Sequence, residues 1–311
     1  MSVLVFGGTG FIGRRMIPRL AERGEKVLCM DIDPRAADFG DLGDRVNVIH
    51  GDITQFEDVV KAVLMAKPER IINLAYLLGG GEAEPHRNMR LNVLGMDNCF
   101  EAARVCGVNR VVYASSLAVS GNQTEFGERA ANEDDPKYGT SQYAVHKIFN
   151  EFQAAMYTAN YGMSITGIRP GNVTGPDKVR GSTDHVRCVV LPAAGEPVSF
   201  PQKDLMRMVV HVEDVAEAFV RVALADTTHY PLYNTGGTPI SLGDLADLIR
   251  EFLPDAQISF DADGGREDSN NYLVDNSRLR EEFELEYPPF RTRILEIIND
   301  VRRDAGLPLI T

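Results

Sequence analysis

The chain has 311 residues, of which 25% are charged and 44% hydrophobic, and its formal net charge is −13. This composition is ordinary for a globular enzyme, and the length suits one large domain or two modest ones. The acidic balance argues against a nucleic-acid binder, because phosphate backbones are held by clusters of Lys and Arg.

No apolar run approaches the roughly 20 residues that span a bilayer, so we expect no contact with a membrane. The apolar start of the chain stops at Gly7 and lacks a basic leader, which predicts a strand and a cytoplasmic protein. The four cysteines lie in separate apolar stretches, and the six histidines show no ligand spacing. We therefore expect buried thiols and no metal site.

The first half of the chain alternates β-branched runs with helical patterns, which predicts a parallel sheet with crossover helices. We expect strands at residues 3–6, 26–31, 46–50, 70–74, 110–115 and 164–169. We expect helices at residues 11–23, 55–66, 88–106, 140–160, 214–225, 241–252 and 292–304. The predicted fold is α/β, with a Rossmann-type doubly wound parallel sheet and a smaller C-terminal α/β lobe.

We assign residues 1–170 to the sheet domain, with some later segments returning to it. Residues 171–311, where Gly and Pro are at first frequent and the pattern loosens, form mainly the smaller lobe.

A glycine-rich turn follows the first predicted strand and opens the first predicted helix, with glycines at Gly7, Gly10 and Gly13. Such a turn needs glycine for its tight bend, for close approach of a pyrophosphate and for helix-on-strand packing. The free N–H groups of the helix N-terminus then face the phosphates. This strand–turn–helix context predicts a dinucleotide site.

Asp31 ends the second predicted strand, where a carboxylate accepts hydrogen bonds from the ribose hydroxyls of NAD and repels the 2′-phosphate of NADP. We therefore expect NAD. Asp52 follows the third strand and either contacts adenine or caps the next helix; Thr54 is an equally good cap.

Tyr143 and Lys147 lie four residues apart in a predicted helix, so their side chains share one face. A lysine ammonium beside a tyrosine stabilises the phenolate and makes it a usable base near neutral pH. The fifth strand ends in Ser115 and Ser116, and a hydroxyl there lies in the ligand cleft of such sheets. We choose Ser116 as the catalytic serine, with Ser115 second.

These pieces together resemble the extended short-chain dehydrogenases/reductases, the NAD-dependent epimerase/dehydratase group that includes nucleotide-sugar 4-epimerases. The resemblance runs in family order from residue 3 to about residue 220. The matching motifs are GGTGFIG at 7–13, Asp31, Asp52-Ile53, Asn73-Leu74-Ala75, Asn92-Val93 with Gly95, Ser115-Ser116, Tyr143 with Lys147, RPGNV at 169–173, and Arg207 with HVEDV at 211–215.

The resemblance implies a catalytic triad of Ser116, Tyr143 and Lys147. It also implies sites for the cofactor and the substrate. The cofactor residues are Gly7, Gly10, Phe11, Ile12, Gly13, Asp31, Asp52, Ile53, Leu74, Ala75, Tyr143, Lys147 and Arg169. The substrate residues are Tyr76, Ser116, Asn172, Arg207, Arg266 and Tyr272.

Some positions fit the family pattern and others depart from it, and both kinds bear on the substrate. Arg207 and Arg266 fit the arginines that grip a diphosphate, because guanidinium forks match phosphate oxygens. The Asn expected before the hydrophobic-Pro step is replaced at Val189, and the aromatic after the serine motif is replaced at Ser120. No acid pair follows Ser116, which argues against water elimination.

Three functions stay open. The first is a nucleotide-sugar epimerase that retains NAD through its cycle. The second is a net NAD-dependent dehydrogenase or reductase of a smaller sugar, polyol or hydroxy acid. The third is a non-enzymatic dinucleotide sensor, against which the complete Ser116/Tyr143/Lys147 set argues.

The resemblance implies a homodimer built on a four-helix interface. The predicted helices at 88–106 and 140–160 would form it, and both are rich in apolar and small residues. Packing within one chain would give the same pattern.

Overall fold

The computed structural model describes residues 2–78, 83–261 and 270–311, which form strands and helices in alternation. The strands are β1 (Ser2–Phe6), β2 (Lys26–Asp31), β3 (Val46–His50), β4 (Arg70–Asn73), β5 (Arg110–Ala114), β6 (Ser164–Arg169), β7 (Asn172–Thr174), β8 (Val198–Phe200), β9 (Met206–His211), β10 (Leu232–Asn234), β11 (Thr238–Ser241) and β12 (Ile258–Phe260). The helices are α1 (Gly13–Glu22), α2 (Phe56–Ala66), α3 (Pro85–Met89), α4 (Gly95–Val105), α5 (Gln142–Tyr161), α6 (Asp184–Ala193), α7 (Val212–Leu224), α8 (Leu242–Phe252), α9 (Ser277–Phe283) and α10 (Phe290–Asp304).

Seven strands form one sheet in the order β10-β6-β5-β4-β1-β2-β3, and every neighbouring pair is parallel. The strand order reverses between β1 and β4, which is where doubly wound sheets bind ligands at their carboxyl edge. The predicted α/β class and doubly wound parallel sheet are confirmed.

Helices cover both faces of this sheet, as crossover connections require. On one face, Met16 and Leu20 of α1 pack with Phe219 of α7 in a buried cluster. On the other, Val59 of α2 and Phe100 of α4 share a second cluster with residues of α5. Both faces of the strands are therefore dry, which is why their sequences are near-continuous apolar runs.

The remaining elements form a smaller lobe at the carboxyl edge. It contains a three-stranded sheet of order β11-β9-β7, the parallel pair β12-β8, and a core shared by α6, α8 and α10. The chain also leaves the lobe twice to rejoin the main sheet. Helix α7 packs on α1, and β10 pairs with β6 through Leu232 and Gly167. The two parts are therefore interleaved.

Two segments differ from the sequence-based expectation. The helix expected at 88–106 is present but begins at Pro85 and contains one π-helical turn at Arg90–Leu94, between α3 and α4. The Gly- and Pro-rich stretch after Arg169 contains the ten-residue helix α6, which tolerates Pro192 near its last turn and buries Val189. Tertiary packing decides both cases, since local pattern indicates neither.

The cysteines of the described residues are free thiols, with Cys29, Cys99 and Cys188 buried. None of the described helices is both long and apolar enough to cross a membrane.

Gln123 ties the C-terminal part of the chain to the loop that follows the β5 serines. Its buried Oε1 accepts hydrogen bonds from Asn271 Nδ2 at 3.0 Å, Tyr272 N at 3.1 Å and Leu273 N at 2.9 Å. Its Nε2 donates to Gly127 O at 2.9 Å. One amide side chain therefore satisfies several polar groups that would otherwise be buried without partners.

We predict that Gln123→Ala lowers the free energy of unfolding by about 3 kcal/mol, because it leaves buried donors without an acceptor. Urea denaturation followed by circular dichroism measures this. The exposed Gln257 is the matched control, and Gln257→Ala should change stability by less than about 0.5 kcal/mol. Equal effects of the two substitutions would contradict the role given to Gln123.

Candidate active site

The carboxyl ends of the central strands meet at the edge of the sheet that faces the lobe. The turn after β1 approaches the segment after β4, and Leu74 N donates to Phe6 O at 2.9 Å. Next to it, Ser115 N donates to Ile168 O at 2.7 Å, which links the ends of β5 and β6. This edge gathers most of the residues predicted for the site.

The glycine turn after β1 leaves no room for side chains. A Cβ on Gly7 would lie 2.6 Å from Ala75 N, and one on Gly13 would lie 2.4 Å from Gly8 O. Gly7 also has a φ of 74°, in the left-handed region. Gly10 N donates to Gly7 O at 3.3 Å, and α1 begins at Gly13 without a side-chain cap. The turn therefore offers bare backbone and a helix N-terminus to a pyrophosphate.

Asp31 lies at the end of β2 beside this turn. Its Oδ2 accepts a hydrogen bond from Thr9 N at 3.1 Å, and its Oδ1 accepts one from Asp33 N at 3.1 Å. The carboxylate thus braces the glycine turn and remains partly exposed. Both properties suit a ribose-binding carboxylate.

Asp52 and Ile53 follow β3. Asp52 Oδ1 accepts from Thr54 N at 2.8 Å, but α2 begins after Gln55, so neither Asp52 nor Thr54 is its N-cap residue. Ile53 is buried against α4, since a Cβ on Gly95 would lie 2.9 Å from its Cγ2. Asp52 is left partly exposed.

Tyr143 lies in the first turns of α5, whose N-cap Ser141 accepts a hydrogen bond from Ala144 N at 3.2 Å. Burial raises the pKa of Tyr143, and a hydrogen bond with the Ser116 side chain acts to lower it. Ser116 Oγ also accepts from Ala118 N at 3.1 Å, which fixes the hydroxyl at the end of β5. The structure thus brings Tyr143 and Ser116 together as the sequence predicts.

Lys147 lies one turn further along α5 and is 1% exposed. Its Nζ donates to Ala114 O at 2.5 Å and lies 3.2 Å from the ring centroid of Tyr76 and 5.7 Å from that of Tyr143. The Tyr76 and Tyr143 rings meet edge to face at 5.5 Å. Burial lowers the pKa of Lys147 well below its ordinary value, while the Glu151 carboxylate acts to raise it.

Glu151 continues the same helical face and is buried. Its Oε1 accepts from Ser115 Oγ at 2.5 Å and from Arg169 Nε at 2.7 Å, and its Oε2 lies 3.0 Å from Lys137 Nζ. Burial alone would raise the pKa of Glu151, but the hydrogen bonds from Arg169 hold it below its usual range. Sequence reasoning missed Glu151, although its spacing of four residues from Lys147 was a usable signal.

This network gives the Arg169 side chain a structural role, and its assignment to the cofactor stays a prediction. The guanidinium is 1% exposed, binds both oxygens of Glu151 and donates to Glu133 O at 3.4 Å. It therefore supports the helix that bears Tyr143. The network also separates the two serines, because Ser115 is buried against Glu151 while Ser116 remains available to Tyr143.

Asn150 was also missed by sequence reasoning, and it links α5 to the π-helical turn. Its Nδ2 donates to Asn92 O at 3.0 Å and to Tyr76 Oη at 3.4 Å. The Asn92 side chain in turn accepts from Leu77 N at 2.8 Å and donates to Leu77 O at 3.1 Å. These bonds fix the segment after β4 that holds Tyr76 beside Lys147.

The predicted substrate residues are more dispersed. Asn172 accepts from Met208 N at 3.0 Å through its Oδ1, and Arg207 is bound to Asp184. Tyr272 lies on the C-terminal segment held by Gln123 and is partly exposed. Arg266 lies outside the described residues, as does the Gly79–Gly81 stretch.

A loop at residues 175–183, which we call the bridging loop, connects this lobe to the cofactor turn. A Cβ on Gly175 would lie 2.9 Å from Phe11 Cζ, and Asp177 Oδ1 lies 2.5 Å from Arg15 NH2. Phe11 and α1 are thereby covered from the lobe side. No group of His, Cys, Asp or Glu suited to a metal ion is found in the described part of the chain.

The sequence model of the NAD dependent epimerase/dehydratase family matches residues 3–236. The chain belongs to this family. It is therefore an NAD-dependent enzyme of the extended short-chain dehydrogenase type, and the bare glycine cradle fits the pyrophosphate of that cofactor.

Curated relatives agree with this assignment. The chain is 28% identical to a dTDP-4-dehydro-6-deoxy-D-allose reductase of Streptomyces bikiniensis, over 95% of the chain and 94% of the relative. It is 31% identical to a UDP-glucose 4-epimerase of Mycolicibacterium smegmatis, over 71% and 72%.

Solved structures share the whole architecture. A UDP-glucose 4-epimerase of Thermus thermophilus in complex with NAD superposes with a TM-score of 0.83 at 25% identity, over 97% of this chain and 99% of that one. A GalE-like L-threonine dehydrogenase of Cupriavidus necator gives 0.83 at 21%, over 97% and 100%, which shows the fold alone.

We predict that Gly7→Ala weakens NAD binding and lowers stability, because the new Cβ clashes with the backbone at Ala75. Gly24→Ala is the control for backbone strain. Gly24 also has a positive φ, of 87°, but nothing lies within 4 Å of a Cβ built on it, so this substitution adds strain without a clash. We expect Gly24→Ala to cost about 1 kcal/mol and to leave NAD affinity unchanged.

Isothermal titration with NAD and thermal unfolding measure the two effects. Unchanged NAD affinity in folded Gly7→Ala protein would contradict the assignment of this turn to the cofactor.

Proposed function

We propose that the protein moves hydride between NAD and a C–OH or C=O carbon of a carbohydrate-type substrate, as a nucleotide-sugar 4-epimerase does. The observation that supports this most is the assembly of Tyr143, Ser116 and Lys147 beside the glycine turn. Relatives named as acting on UDP- and dTDP-sugars support the substrate class. Residues 1–170 would hold the cofactor, and residues 171–311 would hold most of the substrate. A cytoplasmic location stays a prediction.

The chemistry follows from the three side chains. Bound NAD would accept or return the hydride. Tyr143 Oη takes the proton of the substrate hydroxyl, and Ser116 holds the substrate oxygen in line with it. A Lys147 ammonium stabilises the phenolate; burial lowers the pKa of Lys147, and the Glu151 carboxylate acts against that lowering. Ile53, Leu74 and Ala75 would contact the cofactor, and the last two lie against Gly7 of the glycine turn.

A net dehydrogenase on a smaller substrate is the second candidate, and one observation favours it. Arg207, the arginine expected to grip a diphosphate, is 6% exposed and bound to both oxygens of Asp184. A diphosphate would have to displace or share that carboxylate. The two candidates differ in whether NAD returns to its starting redox state.

We predict that Tyr143→Phe abolishes turnover, by about a thousandfold or more, while NAD affinity stays within about twofold of the unmodified protein. The phenyl ring keeps its edge-to-face contact with Tyr76 and loses only the proton-transferring hydroxyl. Turnover is measured as interconversion of UDP-, GDP- and dTDP-sugars, and as NADH formation from free sugars, polyols and hydroxy acids. Ser115→Ala is a poor substitute for this test, since Ser115 supports Glu151.

Interconversion without net NADH identifies an epimerase, and stoichiometric NADH identifies a dehydrogenase. A Tyr143→Phe protein that turns over normally on the substrate of the unmodified enzyme would contradict the proposed function.

We also propose that the protein is a homodimer. Helix α5 exposes apolar side chains at spacings of four, three and four residues, which places them on one face. This apolar stripe consists of Val145, Phe149, Phe152 and Met156, each at least 39% exposed. Leu94, just before α4, and Val105 at its end are exposed as well. Exposed apolar side chains along one helix face are typical of a subunit interface.

We predict that Phe152→Glu converts a dimer to a monomer, because a charge in the stripe is desolvated on association. Leu309→Glu is the matched control, since Leu309 is 51% exposed and lies at the C-terminus. Sedimentation velocity of both variants measures the change. A monomeric unmodified protein, or equal behaviour of the two variants, would contradict the dimer.

A further inference from the structure

A partly buried cluster of ionic side chains lies where the bridging loop meets the lobe. Arg207 Nε donates to Asp184 Oδ2 at 3.1 Å, and His185 Nδ1 lies 3.0 Å from Asp184 Oδ1. Lys178 Nζ donates to Val173 O at 2.8 Å, and His185 Nε2 lies 3.1 Å from the same oxygen. We call Lys178, Asp184, His185 and Arg207 the basic cluster.

Positive charge is in excess in the basic cluster. Its ion pairs, as far as the structure describes the chain, all end on the single carboxylate Asp184. Burial lowers the pKa of His185, so the imidazole is counted as neutral. Two cations, Lys178 and Arg207, then face one carboxylate. A partly buried charge without a counterion is costly, which makes the cluster a place for an anion.

Lys178 is the cation with capacity left. Arg207 already binds both oxygens of Asp184 through its Nε and NH2. The Lys178 ammonium has three donors, and one bonds to the neutral carbonyl of Val173. An oxyanion on one of the remaining donors gives a charge-assisted bond, which is roughly twice as strong as a bond between neutral groups.

The position of Lys178 fits a substrate contact. The bridging loop starts against the cofactor turn at Gly175 and reaches Gly181, whose built Cβ lies 3.8 Å from Leu78 Cβ. Leu78 is two residues from Tyr76, which packs against Tyr143. The loop therefore spans the cleft from the cofactor side to the reaction centre, and Lys178 lies in its middle with its ammonium turned inward to Val173.

We propose that Lys178 binds an oxyanion of the substrate. This deepens the proposed function and rests on it for the identity of the cleft. The oxyanion belongs to a diphosphate, as in a sugar nucleotide, or to a carboxylate, as in a sugar acid. Both present oxygens to an ammonium in the same way, and the experiment distinguishes them.

The proposal requires a particular pH dependence. Burial lowers the pKa of Lys178 to about 8, Asp184 on α6 acts to raise it, and Arg207 on β9 acts to lower it. Asp184 stays ionised, because hydrogen bonds from His185 and Arg207 outweigh burial and hold its pKa well below the usual range. An anion binds the ammonium and not the amine, so affinity falls as the pH rises through about 8.

The test is isothermal titration of the NAD-saturated protein with two anions and their neutral counterparts. UDP is compared with uridine, and D-glucuronate with D-glucose. Lys178→Gln removes the charge and keeps most of the side-chain length. Arg180→Gln is the matched control, because Arg180 is exposed on the same loop and its loss changes the net charge equally. We expect Lys178→Gln to weaken anion binding about tenfold or more, and Arg180→Gln to leave it within about twofold.

Binding of UDP identifies a diphosphate, and binding of glucuronate identifies a carboxylate. Anions that bind no better than their neutral counterparts, or that lose equal affinity in both variants, overturn the proposal. If Lys178→Gln fails to fold, the pH dependence of anion binding to the unmodified protein tests the proposal instead. Affinity that falls about tenfold between about pH 7 and pH 9 supports the proposal, and a flat profile overturns it.

These measurements need no turnover. If the protein binds an anion through Lys178 but Tyr143→Phe keeps full activity, the anion site stands and the proposed function is wrong.

Discussion

The buried ion pair between Glu151 and Arg169 is the constraint on which the active site depends. It joins α5 to β6, and Ser115 Oγ adds β5 to the same carboxylate. Because Tyr143, Lys147 and Glu151 share one face of α5, anchoring the last of them fixes the direction of the first two. Breaking such a pair by removing one partner leaves an uncompensated buried charge, which costs about 3–5 kcal/mol.

The charges around this pair extend its effect to the chemistry. Arg169 and Lys137 pair with the one Glu151 carboxylate, and that carboxylate acts to raise the lowered pKa of Lys147. A positive environment favours the phenolate that proton abstraction requires. Tyr76 covers the Lys147 ammonium with its ring face, which holds the lysine in place and shields it from water. Position and electrostatics therefore come from the same contacts.

The lobe and the sheet domain depend on each other at the cleft. Helix α7 and strand β10 return to the main sheet from within the lobe, so the two parts share a core and not a flexible linker. Arg14 and Arg15 on α1 both pair with Asp177 of the bridging loop, at 2.7 and 2.5 Å. The surface over the cofactor turn is thus made by residues far apart in the sequence.

The local sequence was enough to predict those elements that depend only on neighbouring residues. Periodicity placed β2, β3 and β6 at their observed bounds, and the glycine turn was predictable because only glycine fits it. The face shared by Tyr143 and Lys147 follows from helical spacing alone. The ion pair of Arg169 with Glu151 could not be predicted in this way, because the two residues lie 18 positions apart and only the fold joins them. Helix α6 and the π-helical turn likewise depend on tertiary packing.

Amide hydrogen exchange in Glu151→Gln tests the central claim most directly, with Glu57→Gln at an exposed position of α2 as control. The account predicts that peptides covering residues 142–151 lose protection in Glu151→Gln, while those of α1 and β2 keep theirs. It predicts no change in that segment for Glu57→Gln. Unchanged protection of α5 in Glu151→Gln would show that the helix is held by other contacts and would contradict the account.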